Sequence, residues 1–143
     1  MVVRATKEIV LAYGHCNIQS SHPSTLMITT DTHISKTGDC IIAVGANKAL
    51  SDFSCEFKEQ LRKPNAKLTV NIEAGLLVQK VNALGHPKLT LFSSSDMVIR
   101  KSDYTSDRTL AIHADKSARD LPREFVERLR NPEQQVKITL QVN

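Results

Sequence analysis

A stretch of 34 residues, Asp39 to Ile72, recurs without a gap as Asp107 to Leu140, at a constant offset of 68. Eleven of the 34 positions are identical, among them Asp39/Asp107, Ala46/Ala114, Lys48/Lys116, Asp52/Asp120, Phe57/Phe125, Leu61/Leu129 and Pro64/Pro132. Many of the mismatches exchange one apolar residue for another, such as Ile42/Leu110, Val70/Ile138 and Ile72/Leu140. Such agreement marks an internal duplication, and a duplicated unit restricts the fold to arrangements in which two similar halves close over one core. The copy reaches further back, because Ala12-Tyr13-Gly14-His15 matches Ala83-Leu84-Gly85-His86 at an offset of 71.

Each half carries the same series of elements. Lys7 to Tyr13 is a short run rich in Ile, Val and Leu that ends at Gly14, which favours a strand. Thr25 to Thr30 reads as a second strand, and Cys40 to Val44 as a third with both faces buried. Phe53, Phe57 and Leu61 recur at helical spacing, so a helix is expected from about Phe53 to Arg62, with Ser51 or Asp52 as its N-cap and Pro64 preventing continuation. Lys67 to Ala74 alternates apolar with polar, the pattern of a half-exposed strand.

The second half repeats this with strands at Leu76–Val81, Asp96–Lys101 and Thr109–Ile112. A helix follows over Asp120–Arg130, with Pro122 expected in its first turn, and then a strand through Val136–Val142. The expectation is a mainly β single domain, residues 1–143, made of two tandem βββαβ repeats (7–74 and 76–142). About eight strands and two short helices would form a sandwich or closed barrel with pseudo-twofold symmetry.

Charge bounds the partners. Nineteen Lys and Arg against fifteen Asp and Glu leave a formal charge of +4, which permits an anionic partner. Aromatic residues make up only 4% and Trp is absent, which argues against a stacking platform for single-stranded nucleic acid. Three cysteines, Cys16, Cys40 and Cys55, without paired spacing or a secretory leader point to free thiols in a reducing cytoplasm. No apolar run approaches the ~20 residues that span a bilayer, so no membrane partner is expected.

Several motifs resemble a known family. His22-Pro23-Ser24-Thr25, Gly38-Asp39-Cys40-Ile41, Ala46-Asn47-Lys48-Ala49, and Asp107-Arg108-Thr109-Leu110 through Ala114-Asp115-Lys116 are similar to an archaeal domain-of-unknown-function family, number three hundred seventy-one. The resemblance covers nearly the whole chain. It implies a mainly β, sandwich-like domain and no assigned activity. Asn47 stands where the family pattern has Asp, so the resemblance carries no acid role to position 47.

Residues that differ between equivalent positions are where one half would have specialised. Lys48 and Lys116 sit in paired Ala-(Asn/Asp)-Lys turns between a strand and a helix, where a solvated lysine is the simple reading. The sharper reading is a site for a phosphate or carboxylate formed by Lys48, Asp107, Arg108, Asp115 and Lys116. Glycine-rich nucleotide loops are absent. Arg100, Lys101, Arg108, Lys116, Arg119 and Arg123 make the second half basic and would suit an anionic ligand or nucleic acid.

A second reading is an enzyme, metal-assisted or thiol-dependent, using His15, His22, Asp39 and Cys40. The His-x6-His spacing matches no strong zinc signature, and no metal or other cofactor is assigned. Cys40 as nucleophile would need a neighbour that lowers its pKa. A third reading is a structural subunit of a protein assembly. The first reading needs the fewest assumptions: a binding module for an anionic ligand or partner.

Overall fold

The computed structural model describes residues 6–143. The elements in chain order are β1 (Thr6–Tyr13), β2 (Thr25–Thr29), β3 (Ile41–Ala43), α1 (Cys55–Leu61), β4 (Lys67–Ala74), β5 (Leu77–Leu84), β6 (Asp96–Arg100), β7 (Thr109–Ala111), α2 (Arg123–Leu129) and β8 (Gln135–Val142). They build two four-stranded sheets. The first has the order β1-β8-β4-β5 and is antiparallel throughout. The second has the order β3-β2-β6-β7, with β2 and β6 antiparallel at its centre and the short strands β3 and β7 parallel to them at its edges.

The two sheets share one apolar core. Val10, Ala12, Val70, Ile72, Ile138 and Leu140 from the first meet Leu26, Ile28, Met97, Ile99, Ile42 and Leu110 from the second. Alternation along β4 and β8 puts every second residue inside, as the polar/apolar pattern predicts. The expected barrel does not close. Among the described residues only single bridges, Tyr13 to Val44 and Leu84 to Ile112, link the sheets at their corners. β3 and β7 are three residues long, too short to carry a ladder round the corner.

Both helices begin later than expected. Leu50–Asp52 and Ala118–Asp120 are separate 3-10 turns. Asp52 Oδ2 accepts the Ala49 amide at 2.9 Å, and Asp120 Oδ2 accepts the Ser117 amide at 2.8 Å. These aspartates therefore cap the turns, and Ser54 caps α1 by accepting the Phe57 amide at 3.1 Å. Phe53 leaves the helical stripe but stays in the core, edge-on to Phe57 with ring centroids 5.1 Å apart. Pro122 is the N-cap of α2 rather than a residue of its first turn.

Each helix is seated by the other half of the chain. A β-carbon on Gly14 would lie 2.2 Å from the Asn131 carbonyl oxygen and 2.3 Å from that of Leu129. One on Gly85 would lie 1.9 Å from the Leu61 carbonyl oxygen. Real Cβ atoms do not approach so closely, so both glycines exist to let a helix C-terminus touch the strand end. Arg62 at the end of α1 donates to the carbonyls of Leu89 and Thr90, at 2.8 and 2.5 Å. Arg123 at the start of α2 donates to the Ser20 carbonyl at 2.8 Å.

Candidate functional site

The paired Ala-(Asn/Asp)-Lys turns sit at the outer edges of the first sheet. Asn47 exchanges two bonds with Leu11: its Oδ1 accepts the Leu11 amide and its own amide donates to the Leu11 carbonyl, both at 2.9 Å. Asp115 does the same with Asn82, both at 2.9 Å, and Oδ2 also accepts from the Asn82 side chain at 3.1 Å. An Asx side chain thus stands in for a strand that ends before reaching the edge.

The lysines that follow are engaged within the chain. Lys48 Nζ lies 2.9 Å from Glu8 Oε1. Lys116 Nζ donates to the Lys80 carbonyl at 2.8 Å. Glu8 is a buried carboxylate, and its second oxygen accepts the Ser54 amide at 2.9 Å. Burial pushes its carboxyl up, but the Ser54 amide and Lys48 together hold it below the usual range. Sequence reasoning passed over Glu8; its signal is one acid at an inward position of an otherwise apolar strand face.

The histidines are turn residues. His15 Nδ1 accepts the Asn17 amide at 3.0 Å. His22 Nδ1 accepts the amides of Ser24 and Thr25, both at 3.1 Å. His86, the counterpart of His15, accepts the Lys88 amide at 3.0 Å. A ring nitrogen accepting an amide proton cannot at the same time act as a base. His22 and Asp39 are neighbours, since the Asp39 carbonyl accepts the His22 amide at 3.1 Å. His15 is held elsewhere, its amide donating to Leu129 at the end of α2 at 2.9 Å. Burial pushes the Cys40 thiol up, and Asp39 adds to this against the lowering effect of Thr25. Among the described residues no three His, Cys, Asp or Glu side chains are grouped so as to hold a metal ion.

The basic residues of the second half do not gather at one place: Arg100 and Arg108 lie beside β6 and β7, Lys116 at the β5 edge and Arg123 against Ser20. Arg108 Nη1 lies 3.0 Å from Asp96 Oδ2 and its side chain is 54% exposed. Arg100 donates to the hydroxyls of Thr109 at 2.9 Å and Ser106 at 3.2 Å, under the Tyr104 ring 5.0 Å away. Burial, and Arg108 beside it, draw the Arg100 guanidinium below its usual value.

Asp107 and Arg108 meet Thr90, Phe92, Ser93 and Ser94 in a cleft of about 430 Å³. Phe92 is 69% exposed, with Lys58 and Arg62 set 5.6 and 5.9 Å from its ring centroid. Ser93 Oγ accepts the Asp96 amide at 3.1 Å, which leaves its proton free to be donated. The Thr90 hydroxyl is buried and has no hydrogen-bond partner among the described residues. Sequence reasoning passed over Phe92 and the serines, which stand in the run Leu91-Phe92-Ser93-Ser94-Ser95.

Of the residues singled out from sequence, Asp107 and Arg108 therefore share a cleft, and His22, Asp39 and Cys40 share a corner with Thr25. Lys48 and Lys116 lie on opposite edges of the first sheet, beside β1 and β5. No helix among the described residues is long and apolar enough to cross a membrane.

Comparison with known proteins agrees with this unassigned chemistry. Over 122 residues the chain is 45% identical to an uncharacterised protein of Methanocaldococcus jannaschii, covering 85% of this chain and 90% of the relative. Residues 10–143 match a domain of unknown function, DUF371. With nearly its whole length inside that match, the chain belongs to the DUF371 family.

Proposed function

We propose that the protein is a cytoplasmic binding module for a small anionic ligand, a phosphate or carboxylate on an apolar body. The observation that carries this reading is the cleft in which the exposed Arg108 side chain and the exposed Phe92 ring lie together, with Ser93 and Ser94 between them. Arg108 supplies the charge, Ser93 a second donor, and the exposed Phe92 ring a surface for the apolar part. Lys58 and Arg62 behind that ring add positive potential.

The duplication supports specialisation of the second half. Exchanging β1 with β5, β2 with β6, β3 with β7 and β4 with β8 leaves both strand orders unchanged, as two repeats about a pseudo-twofold axis require. Under that exchange Arg108 corresponds to Cys40 and Asp96 to Thr25, so an ion pair in one half replaces a thiol and hydroxyl in the other. Three free cysteines, two of them exposed, support the cytoplasmic placement.

The test is calorimetric or NMR titration with phenyl phosphate, benzoate and phenol. Binding of the two anions, absence of binding by phenol, and at least tenfold weaker binding by Arg108→Gln are expected. Equal binding of phenol, or an unaffected Arg108→Gln variant, overturns the reading.

A further inference from the structure

The first sheet has an outer face that no helix covers, and its charge is one-sided. Outward positions of the four strands carry Lys7 on β1, Lys137 on β8, Lys67 on β4 and Lys80 on β5, all exposed. The one acid among the outward positions is Glu73. None of the four lysines makes an ion pair among the described residues. The Lys116 ammonium joins them at the β5 edge, held by the Lys80 carbonyl. Five of the chain's nineteen Lys and Arg therefore share this surface.

Between the lysines the two central strands carry short neutral polar groups, Thr69, Asn71, Thr139 and Gln141, while Ile9, Leu11 and Tyr13 on β1 and Val78 and Leu84 on β5 add apolar surface towards the edges. The register places Lys7, Gln141, Thr69 and Asn82 in one row across the sheet, and Ile9, Thr139, Asn71 and Lys80 in the next. Amides and hydroxyls both donate and accept, which matches phosphate oxygens and sugar hydroxyls. Strands stand about 4.8 Å apart and outward residues about 6.7 Å apart, so the lysines spread over roughly 15 by 20 Å. A groove of about 440 Å³ opens off the same face, lined by Lys67, Thr69, Asn82, His113 and Asn143, with the Asp115 carboxylate engaged by Asn82 at its rim. A second copy of the chain presenting the same face would meet like charge, so self-association through it is disfavoured.

We infer that this face binds the sugar–phosphate backbone of double-stranded nucleic acid, without reading base sequence. A duplex fits better than a single strand, because only Tyr13, at one corner, could stack a base. The site is separate from the Arg108 cleft, which lies beside the second sheet.

Fluorescence anisotropy with a labelled 20-base-pair RNA duplex, a DNA duplex of the same sequence, and a poly-glutamate peptide tests it. If four phosphates are neutralised, affinity for a duplex falls about a hundredfold between 50 and 200 mM salt. The double variant Lys67→Gln/Lys80→Gln should lose about two units of the log–log salt slope. Lys36→Gln/Lys88→Gln, exposed but off this face, should keep the full slope. A preference for RNA over DNA would identify the sugar hydroxyl as part of what is read; equal binding would assign the interaction to phosphate. No salt-dependent duplex binding, equal binding of poly-glutamate, or an unchanged slope in Lys67→Gln/Lys80→Gln overturns the inference. Each variant's thermal midpoint is measured alongside, and phenyl phosphate binding reports on the cleft independently.

Discussion

Individual charged side chains hold turns and sheet edges in place. Asp120 accepts from Lys101 at 2.6 Å and from the Ser117 amide at 2.8 Å, and with Lys101 as the larger cause its carboxyl is lowered to about 2. A carboxyl depressed by folding stabilises the fold at neutral pH, and that contribution is lost as pH falls through about 2. In Lys101→Met the Asp120 titration, followed by carbon NMR, should move up towards the ordinary carboxylate range. Glu8 follows the same sign, its share of stability disappearing as acid protonates it. Removing its ammonium partner in Lys48→Met leaves a buried carboxylate with one amide donor, and should cost about 1–3 kcal/mol in a urea unfolding series.

His113 adopts a left-handed backbone with φ of +50°, at the position where the first half has Gly45 with φ of +61°. Glycine has no Cβ penalty there, so His113→Gly should gain about 0.5–1 kcal/mol net of its extra unfolded-chain entropy, read as a higher thermal midpoint. A lower midpoint would show that the imidazole contributes more than its backbone costs.

Among the elements, the helices are the parts with least margin. α1 and α2 are seven residues each, too short to stand alone, and depend on what their stripes bury. Phe57 and Phe125 are at most 1% exposed, so Phe57→Ala or Phe125→Ala should cost about 3–5 kcal/mol. Gly14→Ala and Gly85→Ala push against backbone carbonyls that have no rotamer to yield, and about 3 kcal/mol is expected for each by thermal melting. Retained stability in either glycine variant would mean the helix ends can withdraw.

The helical stripe was legible because it repeats every three to four residues. The 3-10 turn ahead of each helix was not. Asp52 and Asp120 look like helix caps in sequence, and only their bonds back to Ala49 and Ser117 assign them to the shorter turn.

For the molecule as a whole, the halves are interleaved. β1 pairs with β8, and β4 pairs with both β8 and β5, so the first sheet cannot form from either half alone. In the second sheet β2 of one half is joined to β6 of the other. A fragment spanning 7–74 should therefore lack a cooperative melt and dispersed amide resonances, whereas two independent units would each retain them.

Strand and helix identities and the alternation of inward and outward residues follow from the sequence by itself, because periodicity is a local property of a chain. Family membership was legible for the same reason, in short ordered motifs. The open corners, the engagement of Lys48 with Glu8, the parting of His15 from His22, and the meeting of Arg108 with Phe92 and Thr90 were decided by tertiary structure alone. Each depends on which distant segment lies opposite, and an exposed lysine and a paired one look alike until a strand forty residues earlier puts a carboxylate beside it.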